Sequence, residues 1–405
     1  MAEVCGMHVD TLPFLDILSP EFEFDSVEVK AARDASWLAR TPIGFAVLRY
    51  DDVSAMLKDA RLHQGSAAIL ALRGLTDGPL VDWWKGTILN IDGPEHTRLR
   101  RLVAKAFTPP AVERLRPHFR ATAERLVDAF GADGRCEFVS QFSEPYPLEG
   151  ICEMLGIPQE RRKSFYGWAG DLGLIFSKRI GQPDVRGRAE GALLALFACA
   201  DEVIADRRRE PGLDLVSALL DVESDGDRLT TLELRSMIAG LVFAGNDTTR
   251  NQLALGMLAF SRYADQWKLL GERPELAPRS VDEMMRLAPT ISVVPRIVRE
   301  EVEYNGVTFK PGFVITLVLA SANADERVFG ERAFDITVER TASQLTFSGG
   351  IHRCLGMWLA RAEMQEALGV LSQRYVRIER DGDPTWQPGL GIDGPTTLPL
   401  RFVRR

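Results

Sequence analysis

The spacing of hydrophobic and polar positions changes along the chain and separates a mixed beginning from a long helical body. Phe45–Tyr50 is an apolar and aromatic run that predicts a short strand, and Asp51–Lys58 has the spacing of a short helix. From Pro94 to about Gly271, apolar residues return every three or four positions, which predicts successive helices. The pattern therefore indicates a mainly α fold with small β-sheets.

Four segments of the helical body show the clearest helical spacing of apolar residues. They are Pro110–Phe130, Val185–Arg209, Asp214–Asp221 (followed by an acidic turn at 223–227) and Thr231–Tyr263. A helix as long as the last of these runs roughly 50 Å, the diameter of a whole domain. We therefore expect it to cross the middle of the protein.

The last third of the chain mixes helical and strand-like patterns. Arg279–Leu287 predicts a short helix, and Glu303–Ala320 alternates around an Asn305-Gly306 turn, which predicts strands in hairpin form. Leu355–Tyr375 predicts a final amphipathic helix, and residues 398–403 are again strand-like. No linker divides these segments, so we expect a single domain over residues 1–405, richer in β structure up to about residue 90.

Composition and charge narrow the class of protein. Of the 405 residues, 45% are hydrophobic and 26% are charged, which is enough apolar material for a large core. The formal net charge of -8 argues against a dedicated nucleic-acid binder, which would carry a basic excess. These numbers favour an ordinary globular protein.

The cysteines point to a reducing compartment. The chain has five, an odd number at wide spacing: Cys5, Cys136, Cys152, Cys199 and Cys354. They predict neither a disulfide framework nor a structural zinc site, because no CxxC pair occurs. No run of 18 apolar residues is present, and the first residues are acidic where a signal peptide is basic. We expect a cytoplasmic location.

Cys354 stands out because it lies in a glycine-rich loop, FSGGIHRCLG, directly before the last predicted helix. The helix N-terminus there should lower the pKa of the thiol, and the nearby glycines should let a flat ligand approach the backbone. Such a thiolate suits a metal. The alternatives are a buried cysteine acting as a small hydrophobe and a nucleophile with His352 as base, although a spacing of two residues disfavours the second.

The loop resembles the haem-binding signature of the cytochrome P450 family. The resemblance implies the fold of that family, with the long central helix over a buried haem b and with Cys354 as the axial thiolate ligand of the iron. It further implies that Phe347 shields the thiolate, that His352 contacts a haem propionate and that Gly356 lies close to the cofactor. Ser348 departs from the glycine that bacterial members most often have at its position.

A second resemblance concerns the sequence Glu283-Met-Met-Arg286, which lies about 70 residues before the cysteine. Glu and Arg at positions i and i+3 share a helix face and can pair, and an isolated pair of this kind is usually a weak surface salt bridge. In this position the motif resembles the family's Glu-x-x-Arg. The resemblance implies a buried network of Glu283, Arg286 and Arg340 that holds the cysteine loop.

The long central helix contains Ala244-Gly-Asn-Asp-Thr-Thr, which resembles the family's oxygen-activation motif. Ala244 and Gly245 have small side chains that would let a flat macrocycle pack against the helix. The resemblance makes Asp247 and Thr248 the acid–alcohol pair that relays protons during oxygen activation. The structural alternative is a helix kink in which the Thr hydroxyl bonds its own backbone.

Three further residues resemble the family's propionate-binding set. His96 and Arg100 stand at i and i+4 after a helix start, so their side chains point the same way, and Arg296 precedes the predicted hairpin. Asn323-Ala-Asp325 departs from the frequent Asn-Arg-Asp of the family, which leaves a role for an arginine there in doubt.

The resemblance implies a bacterial monooxygenase of the haem-thiolate type that uses O₂ to hydroxylate or epoxidise an apolar small organic molecule, as in antibiotic and other natural-product metabolism. Electrons would come from a ferredoxin and its reductase, and the enzyme would be a monomer. The substrate pocket expected by resemblance includes Ile69, Leu72, Leu172, Ile175, Val242, Ile291, Val293, Val294 and Thr396. Ring coupling, desaturation or nitration by a P450 is an alternative, and a non-enzymatic haem sensor is a remote one.

The resemblance also leads to a prediction of the surface on which the electron donor docks. Arg98, Arg101, Lys105, Arg353 and Arg361 fall near the segments that contact the haem. We expect them to form a basic patch that receives an acidic ferredoxin. An ordinary solvated face is the equal alternative.

Overall fold

The computed structural model describes residues 11–19, 21–221, 229–331, 333–386 and 391–405. Cys5 and the acidic turn predicted at 223–227 lie outside them. The helices are α1 Val27–Ala35, α2 Tyr50–Met56, α3 Ser66–Leu72, α4 Pro79–Gly86, α5 Gly93–Ala104, α6 Pro109–Glu113, α7 Arg116–Asp128, α8 Pro145–Leu155, α9 Gln159–Gly173, α10 Pro183–Arg209, α11 Leu215–Asp221, α12 Thr231–Arg262, α13 Ala264–Glu272, α14 Ala277–Leu287, α15 Leu319–Asn323, α16 Glu326–Phe329 and α17 Met357–Arg374. The strands are β1 Leu38–Thr41, β2 Gly44–Val47, β3 Leu62–Gln64, β4 Arg135–Glu137, β5 Val293–Val298, β6 Val302–Tyr304, β7 Val307–Phe309, β8 Val314–Val318, β9 Tyr375–Arg380, β10 Thr385–Trp386, β11 Pro395–Thr397 and β12 Pro399–Arg404.

Helix α12 is the central element of the fold, as the sequence predicts. It begins at a capping box in which the Thr230 hydroxyl accepts from the Glu233 N–H and the Glu233 carboxylate accepts from the Thr230 N–H. Helices α8, α9, α10, α14 and α17 pack against it. Because partners surround it, its apolar residues are not confined to one stripe, and both ends of the helix contribute buried side chains.

The main sheet combines strands from two distant parts of the chain. Its order is β1-β2-β8-β5-β3, with β2 and β8 parallel and the other pairs antiparallel. The strands of the main sheet therefore come both from the first 64 residues and from residues 293–318. The segment just before β5 contacts α12, because the Gln252 side chain donates to the Ala288 carbonyl and accepts from the Thr290 N–H.

The predicted hairpin is confirmed at β6 and β7. Asn305 and Gly306 form its turn with φ of 48° and 75°, the positive values that a two-residue type I′ turn needs. The strand pattern predicted to reach Ala320 stops earlier, because β8 ends at Val318 and the chain turns into α15.

The helix predicted over Pro110–Phe130 is two helices, α6 and α7. Pro117 lies in the first turn of α7, where its missing N–H costs nothing; in the interior of a continuous helix it would remove a hydrogen bond and clash with the preceding turn. The proline therefore marks a helix start. The sequence prediction had placed it in a helix interior.

Candidate active site

Cys354 lies in a tight loop that reaches α17 after two further residues. Its backbone N–H donates to the Phe347 carbonyl at 2.9 Å, which closes the loop. A Cβ at Gly350 would collide with the Leu57 carbonyl, and Gly350 has a φ of 64°. The close approach of Leu57, the residue that follows α2, therefore requires this glycine.

The Cys354 side chain is exposed to a large internal cavity of about 1520 Å³. Burial raises the pKa of this thiol, and the Gly356 N–H and the charges of Arg100 and Arg353 oppose that shift without cancelling it. The expectation of a lowered pKa is thus corrected: in the polypeptide alone, the cost of burying a thiolate exceeds the helix-terminus effect. A metal cation at the sulfur would supply the missing positive charge.

Ala244, Gly245 and Thr248 of α12 line the same cavity. The Thr248 hydroxyl donates to the Ala244 carbonyl at 2.8 Å, so the backbone-bonded state weighed in the sequence argument is the one present. A Cβ at Gly245 would meet the Ile151 side chain of α8, so helix packing also requires this glycine. The hydroxyl remains at the cavity wall, where rotation about χ1 would redirect it.

Asp247 does not line the cavity. Its carboxylate accepts from the Asn246 amide at 3.2 Å and packs against Gly173 at the end of α9, where a Cβ would clash with it. Burial raises the pKa of Asp247 to about 6, against a smaller opposing effect of Arg250. The acid and the alcohol therefore occupy neighbouring positions on α12 but face different sides of the helix.

A polar cluster lies at one end of the cavity near the cysteine loop. Asp92 accepts from His352 Nε2 at 2.7 Å, pairs with His63 Nδ1 at 3.3 Å and accepts from the Gln64 N–H at 3.2 Å. Arg100, which lines the cavity, donates from Nη2 to the Arg353 carbonyl at 2.6 Å. This cluster is the polar boundary of an otherwise largely apolar cavity.

His96 and Arg296 stand just behind that cluster, outside the cavity lining. The His96 ring packs on His352 with centroids 4.6 Å apart, and burial lowers its pKa to about 4. Burial also lowers the pKa of Arg296 to about 10. His96 Nε2 and Arg296 Nη2 are both buried without a hydrogen-bond partner among the described residues. Buried polar atoms normally have partners, so this end is prepared for an additional anionic or accepting group.

The predicted network of Glu283, Arg286 and Arg340 is present, with Glu283 and Arg286 buried and Arg340 partly buried. Glu283 Oε1 lies 2.7 Å from Arg286 Nη2 and 2.8 Å from Arg340 Nη2, and Glu283 Oε2 accepts from both Nε atoms. Burial opposes ionisation of Glu283, but the hydrogen bonds from Arg286 and Arg340 outweigh it and hold its pKa below the usual value. Arg286 also donates to the Asn323 carbonyl at 3.1 Å.

Asn323 connects this network to the cysteine loop. Its side chain accepts from the Leu345 N–H at 2.7 Å and donates to the Thr346 hydroxyl at 3.0 Å, directly before Phe347. The departure at Ala324 therefore leaves the asparagine contact intact. The network therefore fixes the start of the loop through Asn323, whose backbone carbonyl binds Arg286 and whose side-chain amide binds Leu345 and Thr346.

Four of the nine predicted pocket residues line the cavity: Ile69, Ile291, Val293 and Val294. Leu72 is instead 57% exposed at the end of α3. Leu172, Ile175 and Val242 are fully buried in helix packing, and the Thr396 hydroxyl bonds Thr385 across β10 and β11. These five assignments are corrected, because proximity along a pocket-forming segment does not determine which face a side chain occupies.

The cavity also has an aromatic wall, which the nine predicted pocket residues do not include. It consists of Trp83, Trp84, Phe176 and Phe243. Phe176 and Phe243 stack at 5.5 Å, and Trp84 meets both edge-on at 5.3 and 5.4 Å. The adjacent tryptophans at 83 and 84 were the available signal.

Glu363 on α17 is a residue that the sequence argument missed. It lines the cavity and is 2% exposed, and its Oε1 accepts no hydrogen bond from any residue that the structure describes. Burial alone raises its pKa well above the usual value. Gly150 of α8 makes room for the carboxyl, since a Cβ there would approach Oε1 to 2.5 Å.

Replacing Glu363 by glutamine should make the stability of the protein less sensitive to pH. Above the unfolded-state pKa of about 4.5, the Glu363 carboxyl group loses its proton in the unfolded chain and keeps it in the folded chain. The wild type therefore loses stability as pH rises towards the folded-state pKa. The advantage of Glu363→Gln should grow with pH by up to about 1.4 kcal/mol per unit. Denaturant melts between about pH 5 and pH 8 measure it.

Glu366→Gln is the matched control on the same helix. Glu366 forms ion pairs with Arg116 and Arg120, so its loss should destabilise the protein at neutral pH. A difference between Glu363→Gln and wild type that stays constant over the pH range would contradict the unpartnered state of Glu363.

Comparison with known proteins decides the family. The sequence model of the family described as Cytochrome P450 matches residues 265–387. The luteothin monooxygenase of Streptomyces thioluteus is 39% identical over 399 residues, which is 96% of this chain and 96% of the relative. The chain belongs to the cytochrome P450 family. The mycinamicin IV hydroxylase/epoxidase of Micromonospora griseorubida is a second relative, 37% identical, which covers 89% of this chain and 91% of its own.

Solved P450 structures have the same fold. The P450 CYP109Q5 of Chondromyces apiculatus superposes with a TM-score of 0.87 at 31% identity, over 98% of this chain and 100% of that one. P450 RauA, complexed with a biosynthetic intermediate of aurachin RE, gives 0.85 at 27% identity over 95% and 98%. This protein is thus a haem-dependent oxidoreductase, a P450 monooxygenase that uses O₂ and external electron donors. In the described part of the chain no helix is long and apolar enough to cross a membrane.

The site fits the haem of this family on its own geometry. The exposed thiol of Cys354 lines a cavity of about 1520 Å³, and small residues of α12 line the same cavity. The unpartnered His96 Nε2 and Arg296 Nη2, together with Arg100, suit the two propionate groups of a haem. The propionates would supply the hydrogen-bond acceptors that these buried nitrogen atoms lack among the described residues.

Proposed function

We propose that this P450 monooxygenase holds haem b with Cys354 as the axial ligand and oxidises an apolar small organic molecule of bacterial natural-product metabolism, by hydroxylation or epoxidation. The observation that carries the proposal is the exposure of Cys354 to the cavity that Ala244, Gly245 and Thr248 of α12 also line. The names of the two relatives, a luteothin monooxygenase and a mycinamicin hydroxylase/epoxidase, support the substrate class.

The haem, when bound, supplies the iron centre at which O₂ is reduced and the substrate is oxidised. The polypeptide positions the reactants. Arg100 and Arg296 would neutralise the propionates, and His96 and His352 would orient them. Phe347 would shield the thiolate. The apolar wall of Ile69, Ile291, Val293 and Val294 would exclude water and hold the substrate.

Proton delivery falls to Thr248 and Asp247. The Thr248 hydroxyl at the cavity wall can hold a water and exchange a proton with it. Asp247, with a pKa of about 6, can take up and release protons near neutral pH on the other side of α12. In this proposal, Asp247 is the group that replenishes the proton given up at Thr248.

Asp247→Asn should lower substrate turnover by roughly a hundredfold or more and leave substrate binding unchanged, because the amide keeps the packing against Gly173 but carries no exchangeable acid proton. Turnover and the optical binding titration measure the two effects separately. Asp171→Asn is the control, since Asp171 lies on α9 and pairs with Arg188 at the surface. Equal turnover in the two variants would remove Asp247 from the mechanism.

We further propose that the protein is a single domain and a monomer, that it is located in the cytoplasm, and that a ferredoxin with its reductase supplies its electrons. Cys136, Cys152 and Cys199 are buried free thiols, which suits a reducing compartment. For the docking face, Arg101 and Lys105 are exposed at the end of α5, and Arg353 is exposed in the cysteine loop. Arg98 pairs with Glu233, and Arg361 pairs with Asp282.

Reversing the charge at Arg101 and Lys105 to glutamate should slow reduction by ferredoxin and make it less sensitive to salt, because steering by a basic face is electrostatic. Stopped-flow reduction at several ionic strengths measures this. A variant with both Lys30 and Lys268 changed to glutamate is the control for net charge, since these lysines lie on α1 and α13 rather than on α5 or the cysteine loop. Reduction rates that match the control would contradict the docking face.

The substrate class is tested by titrating candidate compounds into the haem-loaded enzyme and following the Soret band. Apolar compounds should shift the band, and charged ones of similar size should not. If only charged compounds shift it, the apolar substrate class is wrong.

A further inference from the structure

The aromatic wall of Trp83, Trp84, Phe176 and Phe243 has two properties that core packing does not need. All four side chains line the cavity, although they come from three separate segments: α4, the turn after α9, and α12. Phe243 directly precedes Ala244, so the wall adjoins the part of α12 that carries the oxygen-activation motif. A ligand held against this wall would therefore lie beside the reactive region.

The geometry of the wall suits a flat π-system. Phe176 and Phe243 are nearly parallel at an interplanar angle of 19°, while Trp84 stands at 82° to both. Trp83 in turn meets Phe243 edge-on at 87° with centroids 6.3 Å apart. A further aromatic ring held in the cavity can stack on these rings or meet them edge-on, and both arrangements favour an aromatic ring over a saturated ring of equal size.

The two adjacent tryptophans differ in their hydrogen bonding. Trp83 Nε1 donates to the Ser236 carbonyl at 3.4 Å. Trp84 is 2% exposed, and its Nε1 has no acceptor among the described residues. A buried indole N–H normally finds a partner, because an unmet donor carries the full cost of its lost hydration. The Trp84 N–H therefore carries a cost in the protein alone, and a phenylalanine at position 84 would avoid that cost.

We propose that the aromatic wall is a substrate subsite for an aromatic or conjugated ring that bears a carbonyl or ether oxygen, and that Trp84 Nε1 donates to this oxygen. Phe176 and Phe243 contact the ring, and Trp84 fixes its orientation. The inference rests on the proposed function and deepens it: the substrate is an aryl-bearing or otherwise conjugated oxygenated molecule, and a saturated hydrocarbon skeleton does not fulfil both contacts.

Three probes of similar size separate the two contacts. Para-acetylbiphenyl has the rings and the acceptor, para-ethylbiphenyl has only the rings, and para-acetylbicyclohexyl has only the acceptor. Each is titrated into the haem-loaded enzyme, and its dissociation constant is read from the Soret shift. Para-acetylbiphenyl should bind about tenfold more tightly than either of the others, since each lacks one interaction.

The variants assign each preference to its residue. Trp84→Phe keeps a ring and loses the donor, so the preference for the acetyl over the ethyl probe should fall to near unity while the preference for rings persists. Trp83→Phe, whose N–H is already engaged by the backbone, is the matched control and should keep both preferences. Phe243→Leu should lower the preference for rings and keep the preference for the acetyl group.

The outcomes separate this inference from the proposed function. Equal binding of the three probes, or the same loss of preference in Trp84→Phe and Trp83→Phe, would overturn the subsite. So would an absence of any probe binding in an enzyme whose reduced, carbon-monoxide-bound spectrum shows thiolate ligation. If that spectrum shows no thiolate ligation, the haem assignment of the proposed function fails instead.

Discussion

Cys354→Ala should abolish substrate oxidation in this enzyme. Cys354 is the cysteine whose side chain lines the cavity, whereas Cys136, Cys152 and Cys199 are buried in the packing of the described chain. Without the thiolate, the electron donation that P450 chemistry draws from its axial ligand is lost. The propionate-binding residues remain, so haem content should fall only in part. Product analysis and haem content per polypeptide measure the two effects.

Cys199→Ala is the matched control for this variant. Cys199 is 5% exposed on α10 and does not line the cavity, so its replacement should leave oxidation and haem content close to wild type. If Cys354→Ala oxidises substrate as fast as Cys199→Ala, the assignment of the axial ligand is wrong.

Glu283→Ala should produce the largest loss of stability among the variants considered. It leaves the guanidinium groups of Arg286 and Arg340 without their carboxylate, and Arg286 is 2% exposed. Breaking a buried ion pair costs about 3–5 kcal/mol, a large part of the 5–15 kcal/mol that holds a typical domain folded. Because Asn323 connects this network to the start of the cysteine loop, haem retention should fall as well. Thermal melts and the yield of haem-loaded enzyme measure both.

A surface variant and the dependence of stability on pH both check the predicted effect of Glu283→Ala. Glu339→Ala removes a carboxylate that pairs with Arg279 at the surface, with 84% of its own side chain exposed, and should change stability by less than about 1 kcal/mol. Since the pKa of Glu283 is held below its usual value, its contribution should be complete above about pH 4.5 and lost as pH falls through the folded-state pKa. An equal loss in the Glu283 and Glu339 variants would contradict the buried network.

The sequence predicted the features that depend on local spacing. Glu283 and Arg286 had to share a helix face once the segment was helical, and Cys354 had to lie before α17 once its glycine-rich loop was recognised. The long apolar period of α12 required surrounding partners on several sides. In each case, a distance of a few residues along the chain determines the geometry.

The features that could not be predicted from the sequence depend on which tertiary neighbour a side chain contacts. Asp247 and Thr248 are adjacent, yet only Thr248 reaches the cavity, because successive residues of a helix point about 100° apart. Leu172 and Val242 carry suitable apolar side chains but face other helices. Gly350 is required by Leu57, nearly 300 positions earlier in the chain. Tertiary contacts of this kind have no local pattern, and Glu363 and Trp84 belong to the same class.

The central claim, that Cys354 is the axial thiolate of a haem in this cavity, is tested most directly by the reduced, carbon-monoxide-bound absorption spectrum of the haem-loaded enzyme. We predict a Soret band at the long-wavelength position of thiolate-ligated haem, and its loss in Cys354→Ala. A band at the position of histidine-ligated haem in the freshly prepared wild type, or a thiolate band that survives in Cys354→Ala, would contradict the claim.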